Sequence, residues 1–244
     1  MSADAQASAE RIPDILRLQP DAVLVGGQSV AAWANVLGVP LKPPLAPYVT
    51  FDIDFLGSRE VGKVLAAKLG VQLLVPPKDD HVQVTAGMLL LPGKSGGRAI
   101  VDFLSVVSGL EAAKIRERAL EVEAFGTVFK VMHPVDCLTS RISNLHLIPA
   151  KRNEIGVAQA GLAVEIVHAF IAKVVSSGEV RHALDLAEHV GKLARSSPAA
   201  RVKAKFGINV LDAIPVATLP RAFQEKQWPL LVARAQTPRS RRGG

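Results

Sequence analysis

Apolar and polar residues follow two different patterns along this 244-residue chain. Up to about residue 133, short apolar runs with a period of two, typical of strands, are interspersed with helical stretches. From Pro134 onward the apolar residues recur at helical spacing. We therefore predict an α+β protein with an α/β domain at 1–133, a helical domain at 134–236 and a disordered basic tail at 237–244.

The pattern also predicts individual elements. In the first part these are helices at 7–18, 28–37, 59–69 and 109–118, and strands at 21–25, 50–56, 71–75, 81–86, 87–91, 98–104, 119–125 and 127–132. In the second part they are helices at 135–146, 155–175, 179–195, 198–206, 209–214 and 219–234. The Pro-rich segment 39–47 is predicted to be an exposed loop, serving either as a lid or as a passive connector.

Two aspartates one residue apart carry the clearest chemical signal, in the strand-like run Thr50–Leu56. A strand points Asp52 and Asp54 out of the same face, where two carboxylates repel each other unless a cation lies between them. A solvated pair on a strand edge is the alternative. Asp102 lies in another strand-like run, Arg98–Leu104, and would supply a third carboxylate to a divalent metal site.

A glycine turn precedes these acids. The buried-type strand Ala22–Val25 breaks at Gly26 and Gly27 before the helix that begins near Ser29. Glycines at such a place let backbone N–H groups and a helix N-terminus approach phosphate oxygens, with the Ser29 hydroxyl as a further donor. An ordinary turn uses the same residues.

In the order Gly-Gly-x-Ser, then Asp-x-Asp, then a single strand aspartate, the sequence resembles the polymerase-beta-type nucleotidyltransferase superfamily. Thr50–Phe55 is most similar to the small bacterial branch that contains abortive-infection (type IV) toxin nucleotidyltransferases and related defence proteins. The resemblance implies an N-terminal mixed sheet with flanking helices. It also implies that the glycines and Ser29 hold a nucleoside triphosphate, and that the three aspartates hold two Mg²⁺. The chain departs from this family in its longer Pro-rich segment and in the absence of an Arg before Thr50.

The charge that develops on pyrophosphate during phosphoryl transfer calls for cationic side chains as well as metals. The resemblance suggests Lys151 and Arg152, where related proteins carry a basic segment, and then Arg141, where they commonly carry a Lys. Solvated charges at a helix start are the alternative. A second phosphate motif is excluded, because Gly93-Lys94-Ser95 lacks the glycine required at position 88 and joins two strands.

The charge of the chain indicates what class of partner it binds. The net charge is +7, and a run of basic residues without acids, from Lys192 to Lys205, favours polyanions such as RNA or tRNA. A basic protein without a nucleic-acid partner is the alternative. The single cysteine, Cys137, excludes an internal disulfide and fits a buried thiol. The N-terminus lacks the pattern of a secretion signal and no apolar run of about 20 residues is evident, which predicts a cytoplasmic protein without a membrane partner.

Together these features predict a Mg²⁺-dependent nucleotidyltransferase that moves an NMP from an NTP to a hydroxyl of RNA, tRNA or protein. The resemblance adds a toxin or defence role with a cognate antitoxin partner. Two alternatives stay open: transfer to a small molecule such as an antibiotic, and an inactive transferase fold that serves as a binding or antitoxin-like module.

Overall fold

A computed structural model describes residues 3–18, 22–75 and 85–236. The chain divides into two compact units, Met1–Cys137 and Leu138–Gly244. The sequence pattern placed this boundary at residue 133, just before the helix Pro134–Leu147, whereas the structural division falls inside that helix. The predicted tail at 237–244 lies outside the described residues.

The first unit is built on a six-stranded mixed sheet with the strand order β3-β4-β2-β1-β6-β5. Its strands are β1 (Val23–Val25), β2 (Asp52–Leu56), β3 (Thr85–Pro92), β4 (Arg98–Leu104), β5 (Leu120–Ala124) and β6 (Thr127–Val131). Its helices are α1 (Ala3–Leu18), α2 (Gly26–Leu37), α3 (Arg59–Leu69), α4 (Ala112–Arg118) and the start of α5 (Pro134–Leu147). The predicted α+β class is confirmed.

Pairing in the centre of the sheet alternates between parallel and antiparallel. β1 is antiparallel to β2 and parallel to β6, and β2 is parallel to β4. The apolar side chains of the central strands are buried in the core. Among them, the rings of Phe55 on β2 and Phe103 on β4 stack with their centroids 6.3 Å apart. Two neighbouring strands that run in the same direction bring equivalent ends, and their side chains, to one place.

The region from 71 to 92 differs from its prediction. Residues 71–75 form one isolated bridge, Leu74 to Met88, and residues 81–84 lie outside the described residues. Among the described residues, the end of the predicted strand 81–86 and the predicted strand 87–91 form the single strand β3, whose register shifts between Thr85 and Gly87. Gly87 lies at this shift, and Leu73 packs against it so closely that a Cβ there would lie 2.9 Å from Leu73 Cδ1. The segment around Gly93-Lys94-Ser95 joins two strands, as predicted, and β3 and β4 form a hairpin in which Pro92 pairs with Arg98.

The second unit is helical in its described residues. After α5 it contains α6 (Glu154–Ser176), α7 (Val180–Ala194), α8 (Ser197–Phe206) and α9 (Trp228–Gln236), with 3₁₀ turns at Pro149–Lys151, Val210–Ala213 and Val216–Thr218 and a π-helical turn at Phe223–Gln227. The predicted helix 209–214 is therefore a 3₁₀ turn, and the helix predicted at 219–234 begins at residue 221 and passes through the π-helical turn into α9. Pro215 and Pro220 explain both differences, since proline lacks the N–H that a continuous helix needs.

The apolar helix α6 contradicts one statement made from the sequence pattern. The pattern showed no apolar run of membrane-spanning length, yet α6 has 23 residues and is long and apolar enough to cross a membrane by length and composition. Half of its most apolar window is buried in the folded chain, and the core helix of a soluble protein passes the same test. Among the described residues α6 is the one helix with this property.

Candidate metal centre

Three carboxylates converge where β2 and β4 lie side by side. The parallel register pairs Asp54 with Asp102, so both side chains leave the sheet on the same face. Asp52 lies two residues before Asp54 and shares that face. Each of the three aspartates offers an oxygen within 4.8 Å of the oxygens of the other two, and the group could hold a metal ion. The structure thus brings together the three aspartates that the sequence singled out.

The burial of this cluster makes a cation favourable there. Asp54 is only 9% exposed, and Asp52 and Asp102 are partly exposed. Three negative charges at this separation repel one another, and burial removes part of the water that would otherwise screen them. Carboxylate oxygens are the ligands that hard divalent cations such as Mg²⁺ prefer. The donor set therefore fits the predicted kind of metal, while the identity of the ion remains a prediction.

Gly26 lies against this cluster more closely than any other residue type would allow. A Cβ built on Gly26 would lie 1.7 Å from Asp54 Oδ2, and the backbone φ of Gly26 is +65°. Gly27 touches the neighbouring segment in the same way, since its Cβ would lie 2.6 Å from Cβ of Thr50. Both glycines are therefore required by close approach, and this approach places the start of α2 beside the carboxylates.

The start of α2 has the properties of an anion-binding helix end. α2 is 12 residues long and begins directly at Gly26, and no side chain caps it at Val25. The first N–H groups of a helix have no intrahelical partner and carry partial positive charge. An anionic group held by a metal at the carboxylates would therefore also meet favourable potential from this helix.

Ser29 supports the glycine turn from inside. Its hydroxyl is fully buried, donates to the Gly26 carbonyl at 2.8 Å and lies 3.3 Å from Cys137 Sγ. The structure thus gives Ser29 the task of fixing the Gly26 peptide, and direct donation to a phosphate stays a prediction. Cys137 is buried and packed in the core, as predicted.

Thr50 belongs to the site, although the sequence analysis gave it no role. Its hydroxyl donates a short hydrogen bond to Asp52 Oδ1, and its Cβ packs on Gly27. Thr50 therefore fixes the orientation of one carboxylate and also positions the glycine turn. The signal was present in the sequence, because Thr50 precedes Asp52 by two residues and a strand period of two puts both on one face.

The three predicted cationic residues all lie in the second unit. Arg152 donates from Nε to the Leu145 carbonyl at 2.9 Å and from Nη2 to the His146 carbonyl at 2.6 Å, so it caps the C-terminus of α5. Arg141 is buried and donates to Gln159 Oε1 at 3.1 Å. Lys151 is exposed. Arg141 and Arg152 thus have structural tasks, and a nucleotide role for any of the three stays a prediction.

An ion pair with a buried carboxylate lies at the first turn of α5. Arg118 donates to Asp136 Oδ1 at 2.9 Å, and Asp136 is 1% exposed. The second oxygen, Oδ2, is buried and has no hydrogen-bond partner among the residues that the structure describes. Burial raises the pKa of Asp136 to about 6, although the Arg118 charge opposes this rise.

This ion pair predicts a pH dependence of stability. The folded-state pKa of Asp136 lies above its unfolded value, so the folded state binds the proton more tightly and stability falls as pH rises through about 6. We expect the unfolding free energy to fall by about 1 kcal/mol between about pH 5 and pH 7.5 because of Asp136. Chemical denaturation of Asp136→Asn should lack this fall. Asp14→Asn is the control. A hydrogen bond from Lys94 lowers the pKa of Asp14, so this carboxyl stays ionised throughout the pH range of the experiment. Equal slopes in wild type and Asp136→Asn would contradict the assignment.

Comparison with models of protein families and with curated proteins gives no match for this sequence.

Proposed function

We propose that this protein is a Mg²⁺-dependent nucleotidyltransferase, which moves an NMP from an NTP to a hydroxyl of RNA, tRNA or protein and releases pyrophosphate. One observation carries the proposal: Asp52, Asp54 and Asp102 converge directly against the Gly26 turn at the start of α2. A triphosphate needs both a divalent cation and N–H donors, and this arrangement puts ligands for the first beside the second.

The chain's own residues would divide the work as follows. Asp52 and Asp54 would hold the ions that carry the triphosphate, and Thr50 would keep the Asp52 carboxylate in position. The N–H groups at the start of α2 would bind phosphate oxygens. Asp102 would ligate on the acceptor side and help to remove the proton of the attacking hydroxyl. Bound Mg²⁺ would neutralise the triphosphate charge and make the hydroxyl easier to deprotonate.

The direct test uses the purified protein with each of the four NTPs, labelled at the α-phosphate, together with Mg²⁺ and either total RNA or cell lysate. We expect one NTP to transfer label onto RNA or protein bands, and excess chelator to prevent this. Whether the label appears on RNA or on protein identifies the class of acceptor. Absence of Mg²⁺-dependent label with all four NTPs in both extracts would contradict the proposal.

The basic helix α8 supports RNA as the acceptor. Arg201, Lys203 and Lys205 are exposed on it. Lys or Arg contacts to phosphates release counterions, so binding to RNA should weaken steeply as salt rises. We expect Lys203→Glu/Lys205→Glu to lower RNA affinity across all sequences and to reduce the salt slope, as measured by fluorescence anisotropy.

The control is Arg59→Glu/Lys63→Glu, which makes the same charge change on two exposed positions of α3. A purely general effect of net charge would weaken RNA binding equally in both double variants. That outcome, or no RNA binding at low salt, would remove RNA from the proposed partners and leave the positive charge as a solubility feature.

A further inference from the structure

A cavity of about 470 Å³ lies within the first unit, beside the start of α2. Its walls come from α1, α2, the segment after α2 and the turn between β5 and β6. Six of the lining residues belong to the segment 39–49. The Pro-rich segment, which the sequence left open as a lid or a connector, thus forms a wall of a pocket. The volume falls within the usual range for sites that take small organic molecules.

The pocket combines an apolar wall with a few hydrogen-bonding side chains. Ile12, Ala31 and Ala34 supply apolar surface. Gln28 also lines the pocket and is 7% exposed, yet its side-chain amide forms no hydrogen bond with any residue in the described part of the chain. An amide at the wall of a largely apolar pocket can pair with the complementary polar edge of a ligand, and such a hydrogen bond contributes to binding where water is excluded.

Two aromatic rings and a second amide narrow the class of ligand. Tyr48 and Phe125 offer ring surface, and Asn35 offers a second amide at the more exposed side. No charged side chain lines the pocket among the described residues. A phosphate or an ionic group would therefore find no counter-charge there. A neutral, planar group with donors and acceptors on its edge matches the lining, because amides pair with such edges and aromatic rings contact their faces.

The pocket is joined to the metal centre by very short pieces of chain. Gln28 directly follows Gly27, which packs on Thr50. Val49, another lining residue, directly precedes Thr50, whose hydroxyl bonds to Asp52. Since neighbouring Cα atoms are about 3.8 Å apart, the polar wall of the pocket and the carboxylates belong to one local structure. A molecule with one end in the pocket is therefore well placed to present another part to the carboxylates.

We propose that this pocket binds a nucleobase, with Gln28 reading its hydrogen-bonding edge. The source of this base rests on the proposed function, in which the base belongs either to the NTP or to the RNA acceptor. Both sources share the same chemistry. The pocket would then decide which base is accepted, while the carboxylates and the glycine turn act on phosphates.

The test measures binding of the four free nucleosides without metal, by calorimetry or ligand-observed NMR. We expect one nucleoside to bind better than the other three and better than indole, a flat ring with a single donor. Gln28→Leu should weaken that nucleoside about tenfold, the effect of one lost buried hydrogen bond. Ala31→Phe, which fills the pocket, should abolish its binding. Gln72→Leu, which changes an exposed glutamine outside the pocket, is the matched control.

Further measurements distinguish the base of the NTP from the base of the acceptor, and the pocket proposal from the proposed transferase activity. If the base is that of the nucleotide, Gln28→Leu weakens one NTP and spares RNA; if it is that of the acceptor, the reverse holds. Asp54→Asn should keep nucleoside binding. The pocket proposal can therefore be correct even if no transfer activity is found. Folding of each variant is checked by circular dichroism, and Gln28→Leu carries the test should Ala31→Phe unfold. Nucleosides that bind no better than indole, or equal binding by wild type and Gln28→Leu, would overturn the inference.

Discussion

Asp54→Asn is expected to lose Mg²⁺-dependent NTP binding and turnover together. Asn keeps the size of the side chain but removes the charge that would hold the metal ions, at the most buried of the three carboxylates. Metal stabilisation of a developing phosphoryl charge is worth several kcal/mol, which corresponds to a loss on the order of 10³-fold in rate. Calorimetry with Mg-NTP and labelled-NMP transfer measure the two effects.

Asp102→Asn should give a different result at almost the same place. Asp102 is paired with Asp54 across β2 and β4 but is assigned to the acceptor side. The triphosphate would keep Asp52 and Asp54, so Mg-NTP affinity should change little while turnover falls strongly. If both variants bind and react like wild type, the three carboxylates are solvated strand residues and the proposed activity is wrong.

Gly26→Ala is expected to damage the site by a steric route. A Cβ would lie 1.7 Å from Asp54 Oδ2, so the helix start and the carboxylate must move apart. The φ of +65° adds strain of about 1–2 kcal/mol for any residue with a Cβ. We expect loss of NTP binding and a fall in unfolding free energy larger than about 2 kcal/mol.

Gly70→Ala provides the matched control for this substitution. Gly70 ends α3 with a φ of +66°, and a Cβ there would meet nothing within 4 Å. It therefore reports the backbone strain alone, and the difference between the two variants reports the overlap with Asp54. Equal losses of stability, with NTP binding kept in Gly26→Ala, would contradict the close approach of Gly26 to the cluster.

The convergence of the aspartates could be predicted because strand geometry leaves little freedom. A period of two places Asp52 and Asp54 on one face whatever the neighbours are. The bounds of α3 and β4 were also predictable, since Gly70 ends the helix and the glycines at 96 and 97 bound the strand. That Asp102 lies beside Asp54 depends on the strand order of the sheet, which the periodicity does not contain; the expectation that Asp102 joins the other two aspartates came from the resemblance alone.

Other parts of the site depend on packing that no local pattern encodes. Ser29 follows the glycine turn, where a phosphate donor is expected, but the fold buries it against Cys137, 108 residues away. Arg152 is predicted to bind a nucleotide, and the fold gives it a structural task besides, because the end of α5 supplies free carbonyls to which it donates. The pocket beside Gln28 is invisible in the sequence, because α1, α2 and the β5–β6 turn meet there only after folding.

Binding of Mn²⁺, a paramagnetic substitute for Mg²⁺, tests the central claim most directly. Electron paramagnetic resonance would count the ions bound per chain in the presence of a non-hydrolysable NTP analogue. We expect two bound ions in the wild-type protein, markedly weaker binding in Asp54→Asn, and unchanged binding in Asp14→Asn, whose carboxylate pairs with Lys94 and is not part of the cluster. Binding of Mn²⁺ that is as tight in Asp54→Asn as in wild type would contradict a metal centre at Asp52, Asp54 and Asp102.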